Sequence, residues 1–345
     1  MRFNFRIILF PFAVVYAMIT EIRNFLYDKH ILTATSFDVP IINVGNLSVG
    51  GTGKTPQIEY LIRLLQKDYK IAVISRGYKR KTKGFIIADE TATPEKIGDE
   101  PYQIYQKFKE VNVAVDADRV NAIRKVLAKI KPDVILLDDA YQHRRVKAGL
   151  NLLLTPFKQP FFKDYILPVG NLRECRHRAN RADIVLVTKS TKALSQEQKH
   201  AYKQQIKPYT QAPVYFANIA YGTQIVGAQK AISLADLSEY KVLLVTGIAN
   251  PEPLYSFLSE KNINFESLKF GDHHHFSPRD VNRIKSVFER IKETKKVILT
   301  TEKDYVRLQN HFNTDLFYLP IQTNVIENEM FNKKILAYVN HKRRI

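Results

Sequence analysis

The chain has one cysteine, no tryptophan and only three methionines among 345 residues. It also lacks an uninterrupted apolar stretch of membrane-spanning length. The single cysteine, Cys175, excludes an intrachain disulfide and fits a reducing compartment. No repeat or low-complexity tract is present, which excludes a solenoid or a compositionally biased tail. Acidic residues are in short supply, 34 Asp and Glu against 53 Lys and Arg, for a net charge of +19. An anionic partner is therefore expected: a nucleic acid, an anionic membrane face or a phosphorylated substrate. The remaining composition is that of a globular protein, and its length predicts two domains.

At the N-terminus, Ile7 to Ile19 (IILFPFAVVYAMI) is apolar but interrupted by Pro11, with Arg2 and Arg6 before it and Arg23 after it. Crossing a bilayer takes about 20 apolar residues. No small-residue cleavage site follows, as a signal peptide would need. The chain instead runs on into EIRNFLYDK at helical spacing. Residues 1–30 are therefore expected to form an amphipathic helix lying in a membrane interface; the alternative is a core helix.

Beyond residue 30, short β-branched runs alternate with helical patterns. Strands are expected at Ile41–Val44, Ile71–Ser75, Val111–Val115, Val134–Leu137, Leu150–Leu154 and Ile184–Val187. Continuous apolar strands between amphipathic helices predict an α/β/α domain on a mainly parallel sheet, assigned to 31–215. A second, smaller α/β/α domain is assigned to 216–345, the boundary falling within the polar stretch punctuated by Pro208, Pro213 and Gly222. The last helix, about 328–340, could pack on either.

The first chemical signal is GNLSVGGTGKT, residues 45 to 55. It follows an apolar strand and precedes an amphipathic helix, the context of a phosphate-binding loop. Gly50, Gly51 and Gly53 let backbone N–H groups approach phosphate oxygens, Lys54 would reach the outer phosphates, and Thr55 would hold Mg²⁺. Ser48 stands where the usual loop has its first glycine. A strand ending in Asp138 and Asp139 places carboxylates at the edge where ligands bind in parallel sheets, which favours metal binding over a turn; which aspartate touches the metal stays open. Asp99 in GDEPYQ is either a helix N-cap or a base that accepts a proton from an attacking hydroxyl. In GDHHHF, successive side chains diverge too much for one ion, so a proton-handling role for one histidine is the better reading. Arg173 in NLRE is placed to neutralise phosphoryl charge. Cys175 is read as an inert thiol, and VTKS lacks the aspartate of a guanine reader.

Taken together, RNFLYD (23–28), VGNLSVGGTGKTP (44–56), SRGY (75–78), GDEP (98–101), DDAYQHR (138–144), LRE (172–174), VTGIANP (245–251), FGDHH (270–274) and TEKD (301–304) closely resemble the tetraacyldisaccharide 4'-kinase (lipid A 4'-kinase) family across nearly the whole chain. That family carries a non-glycine at the loop's first position, as Ser48 does here. The resemblance implies a P-loop NTPase-like kinase domain plus a smaller domain that closes a cleft. It implies transfer of the ATP γ-phosphoryl group to the 4'-hydroxyl of a tetraacyldisaccharide 1-phosphate at the cytoplasmic face of the inner membrane, with the protein held peripherally.

Carried over by position, Asn46, Gly50, Gly51, Thr52, Gly53, Lys54 and Thr55 would bind ATP. Thr55, Asp138, Asp139 and Glu174 would surround Mg²⁺. Asp99, His273 and Arg173 would be catalytic, and Tyr78 and Gln142 would line the substrate site. Cys175 departs from the proline expected there. A monomer is expected, and no nucleic acid, since aromatics do not interleave with the basic runs. The competing reading is a switch or metallochaperone ATPase without a lipid acceptor.

Overall fold

The computed structural model describes residues 5–343 apart from positions 192, 273 and 313, so His273 lies outside the described residues. A short 3₁₀ turn leads into helix α1 (Phe10–Asp28). The apolar runs then become β1 (Ile41–Asn46), β2 (Ile71–Ser75), the short β3 (Ile86–Ile87), β4 (Asn112–Val115), β5 (Val134–Asp138), β6 (Leu150–Pro156), β7 (Ile184–Thr188) and β8 (Val214–Tyr221). Between them lie α2 (Lys54–Leu65), α3 (Pro94–Ile97), α4 (Asp99–Lys107), α5 (Arg119–Lys129) and α6 (Gln196–Ile206).

Four of these strands, β1, β2, β5 and β7, are buried along their whole length because helices cover both sheet faces. β4, β2, β5, β1, β6, β7 and β8 pair in parallel in that order, and β3 adds antiparallel to β4. On α2, Ile58, Leu61, Ile62 and Leu65 recur at helical spacing and sink into one core with Ile42, Val44 and Leu136.

A second sheet contains β9 (Gln224–Gly227), β10 (Ala231–Ser233), β11 (Lys241–Thr246), β12 (Phe265–Lys269), β13 (Lys296–Thr301) and β14 (Leu316–Leu319), in the order β10-β9-β14-β13-β11-β12. It is covered by α7 (Glu252–Glu260), α8 (Pro278–Arg290) and α9 (Glu302–Leu308). Ser277 and Asp280 cap α8 reciprocally, which explains why a helix starts directly after the histidine run.

The chain then returns to the first sheet. β15 (Ile321–Val325) pairs antiparallel with β8, and α10 (Asn328–Arg343) buries Phe331, Ile335 and Val339 in the core that holds α2. The expected boundary at 215/216 therefore falls inside β8. The β8–β15 ribbon carries the chain out to the small sheet and back.

Candidate active site at the end of the parallel sheet

β1 ends at Asn46, and the glycine loop turns over the sheet edge into α2. Gly50 and Gly53 hold φ of +99° and +90°, a left-handed backbone that a side chain would strain. The loop is tied down by its neighbours. Arg173 N–H donates to Leu47 O at 2.7 Å and Val49 N–H to Asn171 O at 2.8 Å. From the end of β7, Thr188 Oγ1 donates to Thr52 O at 2.7 Å and Lys189 Nζ to Gly51 O at 2.6 Å. Thr55 sits half-buried in the first turn of α2.

β5 delivers the paired aspartates to the same edge. Asp138 is the last strand residue, buried, with Oδ2 accepting from Ser75 Oγ at 3.1 Å and Oδ1 without a hydrogen-bond partner among the described residues. Burial first, then the charges of Glu100 and Asp139, push its carboxyl up to about 7. Asp139 turns off the strand with a left-handed φ of +49°. Its Oδ1 lies 2.9 Å from Arg173 and 3.7 Å from Lys54. Burial opposes its charge, but those two cations outweigh it and hold the carboxyl below its usual range.

Gln142 Nε2 donates to Asn46 O at 2.9 Å, which places Gln142 under the loop. Glu174, expected beside the metal, is fully buried but engaged elsewhere. Asn24 Nδ2 of α1 donates to its Oε1 at 2.8 Å, Arg181 pairs with Oε2, and Gln142 Nε2 lies 3.4 Å from that oxygen. Glu174 therefore joins α1 to the Arg173 segment, and its oxygens are already occupied by protein donors.

Two glycines bring SRGY and GDEP together. A Cβ on Gly98 would meet Gly77 at 3.2 Å, and one on Gly77 would meet Ile97 O at 2.8 Å. This packing sets Asp99 at the start of α4, facing α9. The N-cap of α4 is Gly98, and Asp99 is already inside the helix, so the capping alternative is ruled out. Its carboxylate pairs with Arg307 of α9, across the cleft. Tyr78, next to these glycines, is largely exposed.

His274 donates its ring to the small sheet's core, packing on Phe270 and Phe276 with Nε2 3.0 Å from Asp280 Oδ2, and His275 is exposed. Cys175 is held protonated, its thiol pushed up to about 11 by burial and by Glu21, in keeping with an inert role.

The sequence reading missed Thr188, Lys189 and Arg307. Lys189 had a signal, since it follows a parallel strand near β1, at the ligand-binding edge. Its left-handed φ of +54° and its ammonium, whose pKa is lowered by burial and by Lys303 and Lys54, mark it as part of the site. Lys303 is lowered likewise, by burial first and by Arg307. Lys54 and Lys189 thus stand at the glycine loop, with the charge of Lys303 felt at Lys189, an arrangement that suits a polyanion.

The comparisons with known proteins agree with this geometry. A family model described as Tetraacyldisaccharide-1-P 4'-kinase matches residues 5–340. The tetraacyldisaccharide 4'-kinase of Flavobacterium johnsoniae is 52% identical over 337 residues, covering 97% of each chain. That of Phocaeicola vulgatus is 44% identical over 350 residues, covering 97% of this chain and 96% of the relative. Among solved structures, the "apo" form of LpxK from Aquifex aeolicus, in complex with ATP, superposes with a TM-score of 0.79 at 32% identity, covering 97% of this chain and 99% of that one.

Proposed function

The chain belongs to the tetraacyldisaccharide-1-P 4'-kinase family and is an ATP-dependent kinase of lipid A biosynthesis; on that premise we propose how its residues divide the work. The loop from Asn46 to Gly53 cradles the phosphates with backbone N–H groups, and Lys54 and Lys189 neutralise them. Arg173, beside Asp139, meets the charge that develops on the transferred phosphoryl group. Asp99 takes the proton of the acceptor hydroxyl. His273 is its partner from the small unit, and Tyr78 and Gln142 border the acceptor.

The residues present also fit Mg²⁺. The buried, unpartnered Asp138 Oδ1 at the loop is an acceptor in want of a cation, and Asp139 and the Thr55 hydroxyl complete an all-oxygen donor set. Glu174 serves as the link to α1. When bound, the ion would screen the phosphates and polarise the γ-phosphoryl group.

The acceptor is the 4'-hydroxyl of a tetraacyldisaccharide 1-phosphate, a phosphorylated glycolipid. α1 supports work at a membrane surface. Phe10, Phe12, Met18, Ile19 and Ile22 are more than half exposed, while its polar residues bond the body. We place the enzyme peripherally on the cytoplasmic face of the inner membrane, where ATP is available. It acts there as a monomer, because one chain supplies every site residue named.

The observation that carries this reading is the placement of Lys54 and Lys189 at the glycine loop, with the orphaned Asp138 Oδ1 at the adjoining strand end. Its test is transfer of labelled γ-phosphate to detergent-dispersed acceptor. Labelled lipid is expected, falling roughly 10²–10⁴-fold in Asp99→Asn as for loss of a general base. Label released only as free phosphate would overturn the kinase assignment in favour of a switch ATPase.

A further inference from the structure

Three segments hold residues with no assigned chemistry so far: VTGIANP, the described part of FGDHH, and, Lys303 aside, TEKD with the turn of α9 that follows it. All three end at Arg307. Its Nη1 donates to His274 O at 3.2 Å and lies 3.7 Å from Asp304 Oδ1. Asp304 is fully buried, and its Oδ2 accepts from Gly247 N–H at 2.8 Å and from Thr301 Oγ1 at 2.8 Å. The guanidinium is therefore set in a bracket made by β11, the histidine loop and α9, all from the small unit.

From that bracket Arg307 reaches across the cleft to one atom. Nε donates to Asp99 Oδ2 at 3.0 Å, and Nη2 pairs with the same oxygen. Asp99 Oδ1 has no donor among the described residues. Two donors on one oxygen is not the side-by-side fork in which a guanidinium covers both oxygens of a carboxylate. It fixes the carboxylate and leaves one oxygen to accept a proton.

The contact is also held in register. α4 and α9 lie antiparallel: Asp99 and Arg307 meet at one end, while at the other Lys107 Nζ and Gln103 Nε2 donate to Glu302 at 2.7 and 3.1 Å. Lys107 Nζ lies 2.7 Å from Glu59 as well, so the α4–α9 pair is anchored to α2, the helix that starts at the phosphate loop.

We propose that Arg307 is the positioning residue for the base, holding Asp99 Oδ2 from the small unit so that Oδ1 receives the acceptor proton. This rests on the reading of Asp99 as the base. In the step it serves, the acceptor O–H proton passes to Oδ1 and the acceptor oxygen bonds to the γ-phosphorus of ATP. The bond from that phosphorus to the β–γ bridging oxygen breaks, and ADP leaves. Arg307 keeps its own protons throughout. The base is aligned only while the two units are together, which couples proton removal to a closed cleft.

The test is a double-mutant cycle in the full chain, using ATP and detergent-dispersed tetraacyldisaccharide 1-phosphate. It compares Arg307→Met, Arg307→Lys, Asp99→Asn and Arg307→Met with Asp99→Asn, each checked for an unchanged melting temperature. Arg307→Met is expected to lower kcat roughly 10–100-fold, within what a general base contributes, with ATP affinity changed less than about threefold. Arg307→Lys should recover most of the loss. In the Asp99→Asn background, Arg307→Met should cost little more.

A kcat unchanged or raised in Arg307→Met would overturn the proposal, a raised value identifying a restraint. So would a loss confined to ATP affinity, or one repeated in full without the Asp99 carboxylate. If Asp99→Asn itself retains full kcat, the base assignment fails along with the proposal. If Asp99→Asn is inactive while Arg307→Met is not, only the role of Arg307 fails. Should Arg307→Met not fold, a folded Arg307→Lys decides through its kcat, where ATP affinity lost in place of kcat would count against positioning.

Discussion

Helices α1 and α2 are both amphipathic, yet they face opposite ways. α2 turns Ile58, Leu61, Ile62 and Leu65 into the core. α1 turns its polar side inward: Tyr16 reaches Arg173 O, Arg23 reaches Gln142 O, Asn24 meets Glu174, and Glu21 and Asp28 share Arg178. Its apolar side is left outside, with Phe12 67% and Ile19 62% exposed. A row of exposed apolar side chains on a helix pinned by its polar face is a surface suited to a non-aqueous neighbour, which is the role we propose for it. The inward contacts of α1 fall on the segment that carries Arg173 and Glu174, so the helix we place at the membrane and the arginine to which we assign the phosphoryl charge are parts of one polar network.

The sharpest way to break this contrast is to truncate both helices. Ile62→Ala should lose about 2–5 kcal/mol of stability, as buried Ile→Ala changes do. Ile19→Ala should stay within about 0.5 kcal/mol, as surface changes do. Urea unfolding of the two variants compares them directly, and a comparable loss in Ile19→Ala would mean that α1 is a core helix after all. Next in size is Arg178→Gln, which leaves Glu21 and Asp28 without their shared cation. About 1–3 kcal/mol is expected for a partly buried charged network, together with faster protease cleavage within α1 while the rest of the chain stays protected.

The smallest effect concerns a buried polar residue of α2, Glu59, which shares Lys107 with Glu302. Burial, then the charge of Glu59, raise the Glu302 carboxyl to about 7. In the unfolded chain it ionises near 4.3. Between these values the folded protein holds the extra proton, so stability falls as pH rises from about 4.3 to about 7. Glu302→Gln should therefore be the more stable protein at pH 8, by roughly 1 kcal/mol. That advantage should vanish below pH 4 in thermal melts; an advantage that does not depend on pH would contradict the shared-cation picture.

How much could be read from the sequence follows the distance between partners. Strands and helices of the large sheet were legible because period and punctuation are local, and so were the glycine loop and the Asp138–Asp139 pair, each a contiguous motif in its proper setting. The return of β15 and α10 to the first sheet was not, because an antiparallel edge strand reads the same on either sheet. Glu174 was misplaced because the sequence does not show that Asn24 and Arg181, from distant segments, would take its oxygens. Arg307 carried no signal at all: its role depends on the register of two helices from different units. Residues whose setting is local could be proposed from the sequence, and residues defined by a partner in the other unit could not.

The central claim is that the outward face of α1 delivers the kinase to its acceptor without taking part in the chemistry. It is tested most directly by comparing Phe12→Ser with Ile19→Ser against the unaltered chain, measuring phosphoryl transfer to acceptor embedded in anionic vesicles and to acceptor in detergent micelles. Two apolar contacts withdrawn from a lipid surface weaken binding by about 3 kcal/mol, roughly a hundredfold. The vesicle rate should therefore fall at least tenfold, with the micelle kcat and the affinity for ATP unchanged. A vesicle rate equal to that of the unaltered chain, or an equal loss in both assays, would contradict the account.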